Sequence, residues 1–355
     1  MLTSELGLSP ATSSRTMTAL YPGQKSALNV VMGAMTFGEA GTNNVRVTDL
    51  KDIEAILDVF LSHGHRELDT ARVYGDGTSE KVLAAIDYQK KGIVMQTKLY
   101  PTHIPQFASV AGPNTPEGVR KYLAMSLAAL NADSIDALYL HAPDRKVPFE
   151  DTLRAVDELY KEGKFKRFGI SNFMSWEVAE TVAICKAHGW IQPTIYQGLY
   201  NAIHRAVEPE LFPCLRKFGI AFYAFNPLAG GFFTGRYTGT QSETPDGSRF
   251  DVKTRAGKGY RERYWNDVYF SALASIQAAG EKHNLTLAEI ALRWMSHHSM
   301  MKREYGDAVI IGASSLNHIE QNMLDLEKGP LPEDVVKALD EAWLSVKGVA
   351  TNYFH

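Results

Sequence analysis

Residues 135–171, IDALYLHAPDRKVPFEDTLRAVDELYKEGKFKRFGIS, alternate between two kinds of segment. The runs at residues 135–141 and 167–171 are short and largely apolar, which is typical of buried strands. Between them, Phe149–Lys161 repeats apolar residues at helical spacing and is followed by Gly163, a residue type that often ends helices. A strand, a helix and a second strand in this order predict a parallel βαβ unit.

The same alternation runs through the rest of the chain and gives eight strand-then-helix units. Eight such units favour closure into a (β/α)8 barrel, the TIM barrel. A doubly wound sheet is the alternative, but no GxGxxG fingerprint follows the first strand. The predicted strands are residues 29–33, 66–70, 93–97, 135–141, 167–171, 194–197, 220–225 and 308–312. The helices predicted after them are residues 49–63, 79–88, 115–130, 149–161, 175–188, 207–218, 265–283 and 315–327, with extra helices at residues 286–299 and 332–346.

One long segment interrupts this pattern after the seventh strand. Residues 230–264 contain GG, TG, TG and DG turn signals, so a long loop is predicted there. Loops of this length are usually functional, and this one falls on the C-terminal face where barrel enzymes bind ligands. No low-complexity linker divides the chain. We therefore expect one domain over residues 27–355, preceded by a disordered extension at residues 1–26.

Composition and charge exclude several classes of protein. Hydrophobic residues make up 45% and charged residues 22% of the chain, which is typical of a soluble globular domain. The net charge of -3 gives no basic field for nucleic acid, and no apolar stretch reaches membrane length. Two cysteines, Cys185 and Cys214, give no disulfide framework. These features predict a cytoplasmic protein with a small-molecule substrate and neither nucleic-acid nor membrane partners.

Four polar residues near the predicted ends of neighbouring strands are candidate catalytic groups: Asp69, Tyr74, Lys98 and His141. Barrel closure would bring them to one rim, although they are far apart in sequence. Reduction of a carbonyl needs a hydride and a proton donor, and a tyrosine with a nearby ammonium is expected to have a lowered pKa. Lys98 would lower the pKa of Tyr74, Asp69 would orient Lys98, and His141 would hydrogen bond to the carbonyl oxygen.

Several stretches resemble one known family. They are GHRELDTARVYGDGTSE at residues 64–80, QTKLYP, LYLHAPD, GISNF and the terminal NYF. Together with their flanks, from about residue 30 to 354, they are similar to the aldo-keto reductases, in particular the aflatoxin-aldehyde and succinic-semialdehyde reductases. The resemblance implies the catalytic tetrad named above, NADPH-dependent reduction of aldehydes, including dialdehydes, and possible activity on ketones. It also implies a homodimer.

The resemblance further implies where the nicotinamide cofactor lies. Ser171, Asn172 and Gln197 would hold the carboxamide, and Phe225 would stack on the nicotinamide ring. Residues 226–236 would wrap the pyrophosphate, and residues 312–322 would hold the adenosine end. The implied cofactor-binding residues are Ser171, Asn172, Gln197, Phe225, Asn226, Pro227, Leu228, Gly230, Gly231, Arg236, Arg249, Gly312, Ser314, Ser315, His318, Gln321 and Asn322.

Two departures from the family pattern concern specificity. His318 stands where many relatives carry an arginine, yet Ser314, Ser315 and Arg249 still favour NADPH over NADH. The chain ends in NYFH rather than NYFR, which predicts a weaker preference for carboxylated aldehydes. The candidate substrate contacts are His141, Tyr260, Arg263 and His355.

The main functional alternative is a cofactor-binding regulatory subunit of the potassium-channel β type with little turnover. Those relatives usually carry asparagine where His141 stands, so His141 favours an enzyme. An isomerase or aldolase would leave residues 226–236 and 312–322 unexplained. The histidine pairs His63/His65 and His297/His298 lack the HExxH spacing, so no metal site is predicted.

Overall fold

The computed structural model describes residues 23–355 and contains a closed barrel of eight parallel strands. Each strand pairs with the next along the chain, and the eighth closes on the first through five residue pairs from Asn29–Ala308 to Gly33–Gly312. The predicted (β/α)8 barrel is confirmed. The strands are β1 Asn29–Gly33, β2 Glu67–Asp69, β3 Val94–Leu99, β4 Ile135–Leu140, β5 Phe165–Ser171, β6 Ile195–Leu199, β7 Ala221–Phe225 and β8 Ala308–Gly312.

The helices surround the strands, and their ends follow the capping residues in the sequence. Thr115 accepts a hydrogen bond from the Gly118 amide at the start of one helix, and Gly189 and Gly219 end two others with φ of 67°. The helices are α1 Leu50–Ser62, α2 Thr78–Ala85, α3 Pro116–Ala129, α4 Phe149–Lys161, α5 Ser175–His188, α6 Leu211–Phe218, α7 Arg255–Tyr264, α8 Asp267–Glu281, α9 Leu287–His297, α10 Leu316–Glu327 and α11 Glu333–Val346.

The predicted loop at residues 230–264 is only partly a loop. It ends in helix α7, whose N-terminus is capped by Thr254 through a hydrogen bond from the Gly257 amide. The sequence of this helix, RAGKGYRERY, has two glycines and no apolar stripe, so the helix was not predicted. The helix predicted at residues 207–218 also begins later, at Leu211, because residues 205–208 form a turn.

Near the N-terminal ends of the strands, the interior of the barrel contains a group of buried polar side chains. The buried Glu67 carboxylate accepts hydrogen bonds from Arg167 at 2.9 Å, from the Tyr223 hydroxyl at 2.9 Å and from the Asn29 amide at 2.8 Å. Gln96 donates a fourth. We call these five residues the Glu67 network. Since β1, β2, β3, β5 and β7 each contribute one of them, the network joins strands from all around the barrel.

The N-terminal segment contacts the barrel at the end where the strands begin. The prediction of a disordered extension at residues 1–26 falls, up to residue 22, outside the described residues. Of the remainder, the Gln24 side chain and the Ser26 carbonyl accept hydrogen bonds from Arg303 at 2.7 and 2.8 Å. Over residues 23–355, no helix has the length and apolar character needed to cross a bilayer, and both cysteines are free thiols.

Candidate active site

The C-terminal end of the barrel opens into a cavity of about 520 Å³. This volume is in the range of small-molecule and cofactor sites. The cavity runs from the ends of β2, β4, β5 and β6 to the loops after β7 and β8. Asp69, Tyr74 and His141 line one part of it, so three of the four predicted catalytic residues share its wall.

The fourth, Lys98, lies beneath the cavity wall and is fully buried. Its ammonium donates to both carboxylate oxygens of Asp69 at 2.6 Å and to the Thr70 carbonyl at 2.8 Å. Burial lowers the pKa of Lys98, and the Asp69 carboxylate opposes that shift. Lys98 was predicted to close strand three, and β3 extends one residue further, to Leu99, so the strand itself directs this side chain inward.

Tyr74 stands on a tight turn that follows β2. Its ring centroid is 4.9 Å from Lys98 Nζ, and its backbone amide donates to the Ala71 carbonyl at 3.0 Å. The next residues, Gly75 and Asp76, have φ of 54° and 53°, which is the left-handed region. The turn therefore places a half-buried phenol beside a buried ammonium, as predicted from the sequence.

The pKa of Tyr74 is shifted in the opposite direction to the one expected from Lys98. Burial raises the pKa of the Tyr74 phenol well above its ordinary value of 10.0, and the Asp69 carboxylate raises it further. The physical reason is that burial, the larger cause, and the Asp69 carboxylate both favour the uncharged form of the phenol. Tyr74 is therefore held as a neutral phenol, which is the form that donates a proton.

His141 follows β4 directly and is held by its backbone. Its amide donates to the Leu99 carbonyl at 2.9 Å, and its carbonyl accepts from the Asn172 side chain at 2.8 Å. Burial, and then the Lys98 charge, lowers the pKa of His141 well below 6.5, so the imidazole is neutral. Its buried Nδ1 atom has no hydrogen-bond partner among residues 23–355. A buried polar atom without a partner is typical of a site that a ligand completes.

Of the predicted cofactor-binding residues, all but one line the cavity. The exception is Ser315, whose hydroxyl caps α10 by accepting from the His318 amide at 3.3 Å. Gln197 donates its amide to Asp69 at 2.8 Å and keeps its carbonyl oxygen for a ligand. In the loop after β7, Gly230 has φ of 69° and lies against Tyr260, where a Cβ would come within 2.5 Å of the ring. These features fit a bound nicotinamide nucleotide.

The cavity wall also carries three arginines that have no carboxylate partner among residues 23–355. Arg46 donates to the Gly247 carbonyl at 2.8 Å and Arg249 donates to the Tyr260 hydroxyl at 3.1 Å, both neutral acceptors. Partial burial, and then the charge of Arg249, lowers the pKa of Arg46. Partial burial, and then Arg236, lowers the pKa of His318. We call Arg46, Arg236 and Arg249 the guanidinium cluster; such a cluster is suited to binding an anion.

Arg46 was not predicted as a site residue. It lies between β1 and α1, in a stretch whose sequence carries no anion-binding motif. Only the fold brings it next to Arg249, which is some 200 residues away in sequence. Met35, Thr36 and Asn317 also line the cavity without a sequence signal.

The predicted substrate contacts gather at the catalytic end. Tyr260, Arg263 and His355 all line the cavity with His141. The Arg263 guanidinium lies 5.9 Å from the Tyr260 ring centroid. Burial, and then the charge of Arg263, lowers the pKa of His355, so this histidine adds little positive charge. Among the described residues, no group of His, Cys, Asp and Glu side chains is arranged to hold a metal ion.

A (β/α)8 barrel whose cavity is lined by a phenol, an imidazole and a guanidinium cluster has the architecture of a nucleotide-dependent oxidoreductase. The chain belongs to the aldo/keto reductase family, whose model matches residues 29–344. It is therefore an oxidoreductase, and membership of this family implies a nicotinamide cofactor.

Named relatives are similar over most of their length. The chain is 46% identical to "Aldo-keto reductase pigE" of Monascus ruber, covering 93% of this chain and 98% of the relative. It is 44% identical to the human "Aldo-keto reductase family 7 member A3", covering 91% and 96%. It is 43% identical to the human "Aflatoxin B1 aldehyde reductase member 2", covering 91% and 89%. The family and the branch that the sequence resembles are thus confirmed.

Proposed function

We propose that this protein reduces aldehydes, including dialdehydes and some ketones, to alcohols with NADPH, and that Tyr74 is the proton donor. One observation carries the proposal. A single cavity is lined both by Tyr74 and His141 and by the guanidinium cluster. An elongated ligand with a reactive ring and phosphate groups matches this distribution of charge. The names of the relatives, which describe aldehyde reductases, agree with the reaction class.

The nucleotide would be held along the length of the cavity. Ser171, Asn172 and Gln197 offer polar atoms for a carboxamide, and Phe225 offers an aromatic face. Gly230 and Gly231, with φ of 69° and 97°, allow the backbone to approach a pyrophosphate. When bound, the reduced nicotinamide supplies the hydride.

The proton step uses residues of this chain. Tyr74, held neutral by burial, donates its hydroxyl proton to the carbonyl oxygen of the substrate as that oxygen becomes negative. The phenolate that remains is stabilised by the Lys98 ammonium. Neutral His141 hydrogen bonds to the same oxygen and orients the substrate.

We expect a preference for NADPH over NADH because of the guanidinium cluster. The two cofactors differ by the 2′-phosphate of the adenosine. Among residues 23–355, Arg46 and Arg249 have no carboxylate to compete with that phosphate, and Ser314, whose hydroxyl lies 3.1 Å from His318 Nδ1, lines the same cavity. Charge-assisted hydrogen bonds to phosphate are about twice as strong as neutral ones. We therefore expect these groups to offset the loss of an arginine at position 318.

The test is the loss of NADPH absorbance with 4-nitrobenzaldehyde, compared with NADH at equal concentration. We expect turnover with both cofactors and a kcat/KM at least tenfold higher with NADPH. Tight NADPH binding without turnover would favour the regulatory-subunit alternative instead. A clear preference for NADH would contradict the cofactor assignment.

Substrate choice at the catalytic end depends on Arg263. Because His355 is held neutral, Arg263 is the positive charge we expect to face a carboxylated substrate. We propose that carboxylated aldehydes are accepted without strong preference. The measurement is kcat/KM for succinic semialdehyde against neutral aldehydes of similar length. Succinic semialdehyde as the best substrate by a wide margin would contradict the proposal.

The oligomeric state is proposed from the family resemblance, and the location from the composition and cysteine content of the sequence. We propose a cytoplasmic homodimer. Sedimentation equilibrium of the purified protein tests the oligomeric state, and a mass of one chain, 39.4 kDa, would contradict it. Fluorescence microscopy of a tagged chain tests the location.

A further inference from the structure

We propose that Arg72 is a positioning residue that fixes the turn carrying the proton donor. The inference depends on the proposed role of Tyr74 and concerns a side chain outside the cavity wall. Arg72 is 5% exposed and lies two residues before Tyr74. Its guanidinium donates to the Gly77 carbonyl at 3.0 Å, at the far end of the Tyr74 turn, and pairs with the Glu80 carboxylate.

The turn needs an external anchor because its backbone is not regular. Gly75, Asp76 and Gly77 are consecutive and all left-handed, with φ of 54°, 53° and 89°. Non-glycine residues adopt this region rarely, so Asp76 holds it only where the surroundings impose it. Two further bonds reach the turn, from the Thr78 hydroxyl to the Gly75 carbonyl at 2.6 Å and from the Asn43 amide to Asp76 at 3.0 Å. The Asn43–Asp76 bond is exposed, whereas the bond from Arg72 to the Gly77 carbonyl is buried.

The Arg72 guanidinium lies inside the turn, where a side chain at position 77 would otherwise be. A Cβ atom at Gly77 would lie 1.9 Å from Arg72 Nη2, so any other residue there would displace the arginine. Gly77 is thus glycine both because its φ is positive and because Arg72 occupies the position of a side chain. The guanidinium is enclosed by the backbone that it holds.

Arg72 also joins this turn to the strand that carries Lys98. Its backbone amide donates to the Lys98 carbonyl at 3.0 Å. Its partner Glu80 accepts from the Thr97 hydroxyl at 2.7 Å, and Thr97 directly precedes Lys98 in β3. The position of the phenol relative to the ammonium is therefore set through Arg72 and Glu80. A displacement of about 1 Å at a reacting group can reduce a rate about 100-fold.

The test is Arg72→Lys, which keeps the charge but loses the planar fork that reaches Gly77 and Glu80 together. We expect the single-turnover rate of aldehyde reduction to fall at least tenfold, while the dissociation constant of NADPH, measured by fluorescence titration, stays within about twofold. The matched control is Arg216→Lys, which alters another arginine fork, to the buried Asp307, directly before β8. The control should lose thermal stability but keep the single-turnover rate.

A double-mutant cycle distinguishes an effect of Arg72 on the position of Tyr74 from a general loss of active structure. If Arg72 acts through Tyr74, Arg72→Lys should change the residual rate of a Tyr74→Phe variant by no more than about twofold. The same fold loss in both backgrounds would overturn the proposal. Failure of Tyr74→Phe itself to slow reduction would instead overturn the proposed function, so the two outcomes are distinguishable.

A second variant covers the case in which Arg72→Lys does not fold. Thr97→Val removes the hydrogen bond from β3 to Glu80 with little change of shape. We expect a smaller fall in the single-turnover rate, about two- to fivefold, that also disappears in the Tyr74→Phe background. An unchanged rate in every folded variant of Arg72 and Thr97 would overturn the proposal.

Discussion

The imidazole ring of His141 stands nearly perpendicular to the phenol ring of Tyr74, at 79°, with the ring centroids 5.9 Å apart. The two rings come from different βα loops and line the same cavity. Both groups are held neutral by burial, so the catalytic end has two uncharged hydrogen-bonding groups above one buried ion pair.

Removing the Tyr74 hydroxyl should abolish most turnover. Tyr74→Phe keeps the ring and loses the proton donor, so kcat should fall by about 10²- to 10⁴-fold. The NADPH dissociation constant should stay within about twofold, because the nucleotide contacts are formed by other residues. Stopped-flow oxidation of NADPH and fluorescence titration measure the two quantities.

Tyr100→Phe is the matched control for that variant. Tyr100 is also edge-on to His141, at 84° and 5.4 Å between centroids, but does not line the cavity. It should keep a kcat within about twofold of the parent. Equal rates for the Tyr74 and Tyr100 variants would refute the assignment of the proton donor.

Arg46 should discriminate between the two nicotinamide nucleotides. Arg46→Ala is expected to weaken NADPH binding about 10- to 100-fold, since a hydrogen bond to a charged group contributes about 1.5–3 kcal/mol. NADH, which lacks the 2′-phosphate, should bind nearly as before. Isothermal titration with each nucleotide measures the difference, and Arg154→Ala, on the exposed face of α4, is the control. An equal loss of affinity for both nucleotides would show that Arg46 contacts a part of the cofactor other than the 2′-phosphate.

Deprotonation of Tyr74 should not reduce the rate of aldehyde reduction in the neutral pH range. The pKa of the phenol is raised above 10.0, so the protonated, donating form is present throughout the pH range below that value. The single-turnover rate should therefore be flat between pH 7 and 9 as far as this group is concerned. A decrease centred near pH 8 that Lys98→Met abolished would show that the ammonium does lower the pKa of the phenol.

Acid should destabilise the protein partly through His65. This histidine is fully buried, accepts from the Val30 amide at 3.2 Å, and has a pKa lowered to about 3, chiefly by burial. Below pH 6.5 the unfolded chain binds a proton that the folded chain does not, so stability falls as the pH falls. From pH 7 to pH 5 the parent should lose about 2 kcal/mol more unfolding free energy than His65→Gln. Urea denaturation at both pH values measures these free energies. An equal loss between pH 7 and pH 5 for the parent and for His65→Gln would contradict this prediction.

The barrel could be predicted because each of its strands is a short apolar run followed by an amphipathic helix. That pattern places the ends of β2, β3 and β4 at one rim, and so brings Asp69, Lys98 and His141 together. Helix α7 could not be predicted, since its residues carry no apolar stripe and its stability comes from a cap and from packing.

The site was predicted less completely than the fold, because its electrostatics and its contacts depend on residues that are distant in the sequence. The sequence predicts that Lys98 and Tyr74 come together, but not that Asp69 contacts the ammonium with both carboxylate oxygens or that burial raises the pKa of the phenol. Arg46 was missed because its neighbours in space come from a different part of the chain. Ser315 was assigned to the ligand, although its hydroxyl is used as a helix cap.

The Glu67 network has a consequence for dividing the molecule. A fragment that stopped after β4 would contain Glu67 but neither Arg167 nor Tyr223, so an interior carboxylate would lose its cation and its hydroxyl donor. Leaving a buried charge uncompensated costs about 3–5 kcal/mol, a large fraction of the stability of a typical domain. We therefore expect that the two halves of this chain, expressed separately, cannot persist as independent half-barrels and become structured only on reassociation.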